Sequence, residues 1–179
     1  MVINRVHKQN VSSMLNYRRL YFTQWFVHLF PETSAFGLKR AILRFCGAKI
    51  GKNVRINSSV MIIGIGELEI GDNTWIGPRN FISVASSVKI GANVDIAPCC
   101  NVLNGSHKVA FEGVRVAGEG ICEDVVIGEG SWICTGSTIL GSSNIGHHSL
   151  VAACSCTKGW YPPQSLIKGI IAKATPLKG

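Results

Sequence analysis

Aliphatic residues recur every six positions along most of this chain. The beat runs through Ile127, Ile133, Ile139, Ile145 and Val151, and a serine follows four residues after each, at Ser131, Ser137, Ser143, Ser149 and Ser155. An earlier array keeps the same step at Ile50, Ile56 and Ile62, at Ile70, Ile76 and Ile82, and at Ile90, Ile96 and Val102. A fixed short period predicts a solenoid, because each unit buries its apolar side only against its neighbours. Within a unit the first and fifth positions point inward. The fifth residue of one unit and the first of the next are then two apart, as with Val54 and Ile56 or Val94 and Ile96. That is strand spacing, so each unit is a short strand plus a corner. Three units close one triangular coil, and stacked coils form parallel sheets roughly 4.8 Å apart around an aliphatic prism. Gly at the second position (Gly51, Gly71, Gly77, Gly91, Gly128, Gly146) suits close packing at a bend. The fold class is mainly β. Period alone leaves the handedness open.

The beat divides the chain into three parts. Residues 1–49 lack it. There, Ser12 or Ser13 caps a helix that carries Met14, Leu15, Tyr17, Leu20, Tyr21, Trp25, Phe26, Leu29 and Phe30 and stops at Pro31. A second helix runs from about Ala35 to Phe45. Both are expected to pack on the solenoid and cap its end. A functional reading instead lays the aromatic, basic first helix on a membrane surface through residues 12–30. Residues 50–160 hold the repeat, with small insertions at Gly64–Glu67 and at Ser86-Ser87 and a large one between Val102 and Ile127. The stretch Lys108–Asp124 cannot be threaded in phase and is expected to leave the prism as a protruding loop, which on a rigid scaffold is more often functional than accidental. Residues 161–179 follow the break at Tyr161-Pro162-Pro163 and form a tail that closes the last open sheet edge.

Composition narrows the function classes. With 46% hydrophobic residues the chain is not a disordered one. A net charge of +8 suits nucleic acid, an anionic membrane surface or a phosphate-rich ligand, and the dispersed basic residues match no nucleic-acid module. Residues 1–10 carry Arg5 and Lys8 with no apolar stretch directly after, so a secretory signal is not expected, and no apolar run reaches a membrane span. The seven cysteines read as reduced, with those inside the beat serving as small buried side chains of a cytoplasmic protein.

Candidate chemistry converges on one imidazole. His107, in Asn104-Gly105-Ser106-His107, stands where the chain leaves the coil for the long excursion. A histidine held by a rigid corner suits a general base at neutral pH. His147 and His148 fall on outward positions of an uninterrupted unit. The serines are repeat fillers, and no nucleophile elbow or phosphate-binding glycine loop is present.

Together these features resemble the hexapeptide-repeat acyltransferases, and most closely the branch that O-acetylates sugars of cell-surface polysaccharides, the colanic-acid-type and galactoside-type enzymes. The resemblance spans residues from about 38 to 175. It rests on Arg44–Gly51, Ile96-Ala97-Pro98, Gly105-Ser106-His107, Gly130–Ile133, and Thr157-Lys158 followed by Pro162-Pro163. It implies a left-handed parallel β-helix assembled as a homotrimer, with acetyl-CoA in the groove between subunits. It implies that His107 takes the proton from a sugar hydroxyl, which attacks the thioester directly. The backbone N–H of Thr135 then matches the oxyanion donor, Trp132 the wall of the pocket, and Ala153, Thr157, Lys158 and Lys173 the pantetheine and nucleotide contacts. The implied location is the cytoplasm, either free or peripheral at the inner face of the membrane.

Lys108 follows His107 where many relatives place Asp, so an orienting acid is sought among Glu112, Glu119, Glu123 and Asp124. Cys99 replaces the family's asparagine, and the closing Gly-Asn-Pro-Ala-Lys stands here as Gly169–Lys173. Three other functions compete. N-acetylation of a nucleotide-linked amino sugar would use the same base. A zinc-dependent hydratase of the same fold needs three converging imidazoles, and the spacing of His107, His147 and His148 does not supply them, so no metal is expected. A non-catalytic β-solenoid scaffold is the third.

Overall fold

The computed structural model describes residues 14–169. It is mainly β: a parallel β-solenoid of about six turns, preceded by two helices. Three sheets form the faces of the prism. Face one stacks Lys49–Ile50, Glu67–Ile70, Ser87–Ile90, Val125–Ile127, Asn144–Ile145 and Trp160–Tyr161. Face two stacks Arg55–Ile56, Trp75–Ile76, Asp95–Ile96, Trp132–Ile133, Leu150–Val151 and Leu166–Ile167. Face three stacks Met61–Gly64, Phe81–Val84, Asn101–Leu103, Thr138–Leu140 and Cys156–Thr157.

The register follows the beat. Ile50 pairs with Ile70, Ile70 with Ile90, Ile90 with Ile127, and Ile127 with Ile145. Each of these isoleucines is buried. The serine ladder points inward as well, and its hydroxyls are satisfied by the next coil: Ser137 Oγ donates to the Ala152 carbonyl at 3.0 Å, and Ser131 Oγ accepts from Ser149 N at 3.1 Å. These serines are structural, because a hydroxyl buried without a partner would be costly.

The corners use two devices. At Gly51, Gly71, Gly91, Gly128 and Gly146 an added Cβ would strike the backbone of the following coil, so close approach excludes any larger residue there. The positive-φ corner positions are mostly not glycine; Asn53, Asn73, Asn93, Arg79, Cys99, His148, Cys154 and Gln164 occupy them.

Several expectations change. The coil does not end at residue 160: Tyr161 pairs with Ile145 and Ile167 with Val151. The two prolines break the beat but not the ladder, because the last turn is shorter and Tyr161 replaces an aliphatic residue on the inner side. The large insertion does protrude, and it does so as paired strands. It is an antiparallel hairpin of Gly105–Val109 and Ala117–Cys122, a chain leaving the prism that pairs its own backbone groups. Only two cysteines are buried, Cys46 and Cys100; Cys99, Cys122, Cys154 and Cys156 are exposed at corners, on the hairpin or on an outward strand position. All seven are unpaired thiols.

Helix α1 (Tyr17–Val27) is capped by Asn16, whose side chain accepts from Arg19 N, and it ends four residues before Pro31. Ser12 and Ser13 lie outside the described residues. Helix α2 (Phe36–Phe45) begins after Ala35. Side chains from this helical segment close the open edge of the first coil, one face at a time. Arg44 donates to the Ile50 carbonyl from Nε at 2.9 Å and from Nη2 at 2.7 Å. Lys39 Nζ donates to the Ile56 carbonyl at 3.1 Å. Gln24 both donates to the Ile62 carbonyl and accepts from its N–H, each at 2.6 Å, as a neighbouring strand would.

Candidate active site

His107 sits on the first strand of the hairpin, opposite Gly120. Its Nδ1 lies 2.9 Å from the Gly118 carbonyl oxygen on the other strand. A carbonyl only accepts, so Nδ1 carries a proton and Nε2 is the ring atom left to act as an acceptor. Among the described residues no acidic side chain is bonded to this ring. Glu119 pairs with Lys108 at 2.6 Å, Asp124 Oδ1 accepts from Ser87 N at 2.9 Å, and Glu123 faces Lys158 at 3.9 Å. Glu112 is exposed near the hairpin tip. A backbone carbonyl does the work expected of a carboxylate. Lys108, which replaces the usual Asp, holds Glu119 across the hairpin, and its ammonium keeps that carboxyl below the ordinary range.

The hairpin is rigidly rooted. Asn104 is buried beneath it: Oδ1 accepts from Ala85 N at 2.7 Å, Nδ2 donates to Ser86 Oγ at 3.1 Å, and its backbone carbonyl accepts from Glu123 N at 2.9 Å. Asp124 ties the other foot to Ser87 of the same corner. Both feet therefore stand on one turn of the coil. Asn104 and Gly118 were not singled out by the sequence pattern. Asn104, which replaces an inward residue just before the excursion, was the available signal.

The remaining expected site residues fall at two different corners. Lys158 lies at the corner between faces three and one, beside the hairpin foot through Glu123. Trp132 projects outward on face two with 52% exposure, and Thr135 follows at the corner between faces two and three. Ala153 stacks there one coil on, joined by the bond from Cys154 N to the Thr135 carbonyl at 2.9 Å. The N–H of Thr135 donates to no group among the described residues. Thr157 is different: the whole residue is buried, with Oγ1 3.0 Å from Ser143 Oγ, so nothing of it reaches the surface of the single chain. Lys173 lies outside the described residues. His107 thus leaves from one edge of face three while Trp132, Thr135 and Ala153 stand at the other.

Other polar groups sit apart. His147 and His148, with Nδ1 atoms 3.0 Å apart, occupy the corner between faces one and two, away from the one His107 leaves. Among the described residues no group of three His, Cys, Asp or Glu side chains is placed to share a metal ion. An open hollow beside Arg44, Lys49, Glu69 and Asp72 belongs to the first two coils rather than to the hairpin. Burial pushes the Cys46 and Cys100 thiols above their ordinary value, which keeps both protonated and unreactive at neutral pH.

Comparison with known proteins decides the family. No family model matches the chain. It is 32% identical over 128 residues to the protein named colanic acid biosynthesis acetyltransferase WcaF of Escherichia coli K12, a match covering 72% of this chain and 68% of that one. The chain belongs to the hexapeptide-repeat acyltransferases. Solved acyltransferase structures share its fold. An acetyltransferase of Vibrio cholerae complexed with acetyl coenzyme A aligns with a TM-score of 0.56 and 24% identity, over 82% of this chain and 80% of its own. The N-acyltransferase AntD of Bacillus cereus, in complex with dTDP-4-amino-4,6-dideoxyglucose and coenzyme A, aligns with a TM-score of 0.59 and 16% identity, over 84% and 92%. As a member of the group, this chain is an acetyltransferase.

Proposed function

We propose that this acetyltransferase moves an acetyl group from acetyl-CoA to a sugar hydroxyl in cell-surface polysaccharide assembly, with His107 as the general base. The bond from Nδ1 to the Gly118 carbonyl carries the reading, because it sets the tautomer that a base requires. Nε2 takes the proton as the acceptor oxygen attacks the thioester carbon. The tetrahedral oxyanion rests on the N–H of Thr135, which donates to no group among the described residues. Collapse expels the CoA thiolate, which takes the proton back from the imidazolium. Trp132 walls the donor, Ala153 flanks the pantetheine, and Lys158 and Lys173 meet the CoA phosphates, while buried Thr157 acts only by holding the coil beneath them.

The site closes between copies. His107 and Thr135 stand at opposite edges of one face, and a homotrimer of parallel prisms would bring one subunit's hairpin against the neighbour's Thr135 corner. The polysaccharide assignment follows the name of the Escherichia coli relative.

Release of CoA from acetyl-CoA, followed over a panel of sugars and nucleotide-linked amino sugars, tests the proposal. Hydroxyl acceptors should turn over, and His107→Ala should lower the rate by about 10²–10⁴-fold with the β-sheet circular dichroism unchanged. Turnover of amine acceptors alone would replace O- with N-acetylation, and full activity in His107→Ala would remove the base.

A further inference from the structure

Helix α1 caps the first coil with one side and leaves its other side uncovered. Leu20 faces the prism and is buried, and Thr23 and Gln24 on the same side bond to Cys46 and Ile62. The opposite side carries Tyr17, Tyr21, Phe22, Trp25, Phe26 and, just past the helix end, Leu29. These six are 46–73% exposed. At 3.6 residues per turn they cover one continuous half of the helix, with Arg18 in their midst. Arg19 borders them, its guanidinium 4.4 Å from the ring centre of the exposed Phe45. Solvent exposure of six large apolar side chains on one face is unfavourable and calls for a partner.

Charge identifies that partner. Residues 1–66 contain ten of the 18 Lys and Arg but only one of the ten Asp and Glu, Glu32. Among the described residues the helices and first coil carry eight Lys and Arg against Glu32 alone, and the coils beyond carry six against nine Asp and Glu. A second copy meeting this face would set Arg18 and its basic surroundings against their own like charges. Aromatic side chains interleaved with arginine and free of carboxylates suit the boundary between headgroups and acyl chains of an anionic bilayer. No described helix is long and apolar enough to cross a membrane, so the contact lies in the plane of the surface.

We propose that α1 docks the enzyme peripherally on an anionic lipid surface. Tyr17, Tyr21, Phe22, Trp25, Phe26 and Leu29 enter the interface, and Arg18 and Arg19 meet the lipid phosphates. The inference does not depend on the acetyl-transfer reading and is tested separately from it. The full chain is sedimented with vesicles of phosphatidylglycerol and phosphatidylcholine, and with vesicles of phosphatidylcholine alone. Binding should favour the anionic vesicles and weaken as salt is raised. Phe22→Ser/Trp25→Ser, whose side chains touch no catalytic group, should lower partitioning at least about tenfold. Arg18→Glu should lower it on anionic vesicles only. CoA release with a soluble acceptor should be unchanged in all variants. Failure of the parent chain to bind anionic vesicles, or equal binding by the double variant, overturns the proposal. So does a double variant whose subunit number in solution falls, because that outcome makes the face a contact between copies.

Discussion

At the scale of single residues, the solenoid depends on polar side chains that stand in for missing neighbours. Lys39 shows the balance most clearly. It is buried, and its ammonium donates to the Glu32 carbonyl at 3.0 Å and to the Ile56 carbonyl at 3.1 Å. Burial lowers its pKa below the ordinary 10.5, and Glu32 opposes the shift. Lys39→Met should cost about 1–3 kcal/mol at neutral pH, because two carbonyls lose their donor. The folded chain releases the Lys39 proton before the unfolded chain does. In the alkaline window between those two values the unfolded state binds more protons, so the lysine form gains stability as pH rises toward 10.5. Urea titrations of both forms should therefore show the gap widening with alkali; a gap that narrows would refute the argument. None of this was legible in sequence. A lysine in an amphipathic helix looks solvated, and its partner Ile56 is 17 residues away.

The hairpin is the element on which the proposed catalysis turns. Its position was legible, because the beat stops at Val102 and resumes at Ile127. Its form was not, because cross-strand pairs such as Ser106 with Ile121 carry no alternating pattern strong enough to read. In the proposed mechanism Asn104, bonded at the hairpin's root, is the positioning residue. Asn104→Ala removes the acceptor for Ala85 N and the donors to Ser86 and Ser87, and the fold should survive because the coils above and below are intact. The expected result is a fall in kcat of about tenfold or more with little change in KM for acetyl-CoA, because the base loses its aim rather than the donor its groove. Asn104→Asp, which keeps the acceptor for Ala85 N, should recover part of the loss. A variant with a raised KM and an unchanged kcat would show that the root does not position His107.

For the whole molecule, the decisive fact is that one prism holds the two halves of the proposed site on opposite edges of face three. If neighbouring subunits complete it, inactive chains can rescue each other. His107→Ala lacks the base, and Ala153→Trp fills the groove beside Thr135 with a large side chain. Each alone should be nearly inactive. Co-expressed, the two should recover a substantial part of the parent rate, because mixed assemblies contain interfaces that pair an intact hairpin with an intact groove. Absence of recovery in a verified mixed assembly would place the whole site within one chain.

The period of six by itself determined the solenoid, its inward positions and the point at which His107 leaves it, because burial in a stacked coil is a local, repeating demand that the sequence must answer at every turn. The partner of His107, the continuation of the coil past Tyr161 and the side chains that bond the first edge were decided only in three dimensions. Each depends on groups brought together from distant parts of the chain, as Gln24 and Ile62 are across 38 residues. A hydrogen bond of that kind leaves no periodic trace.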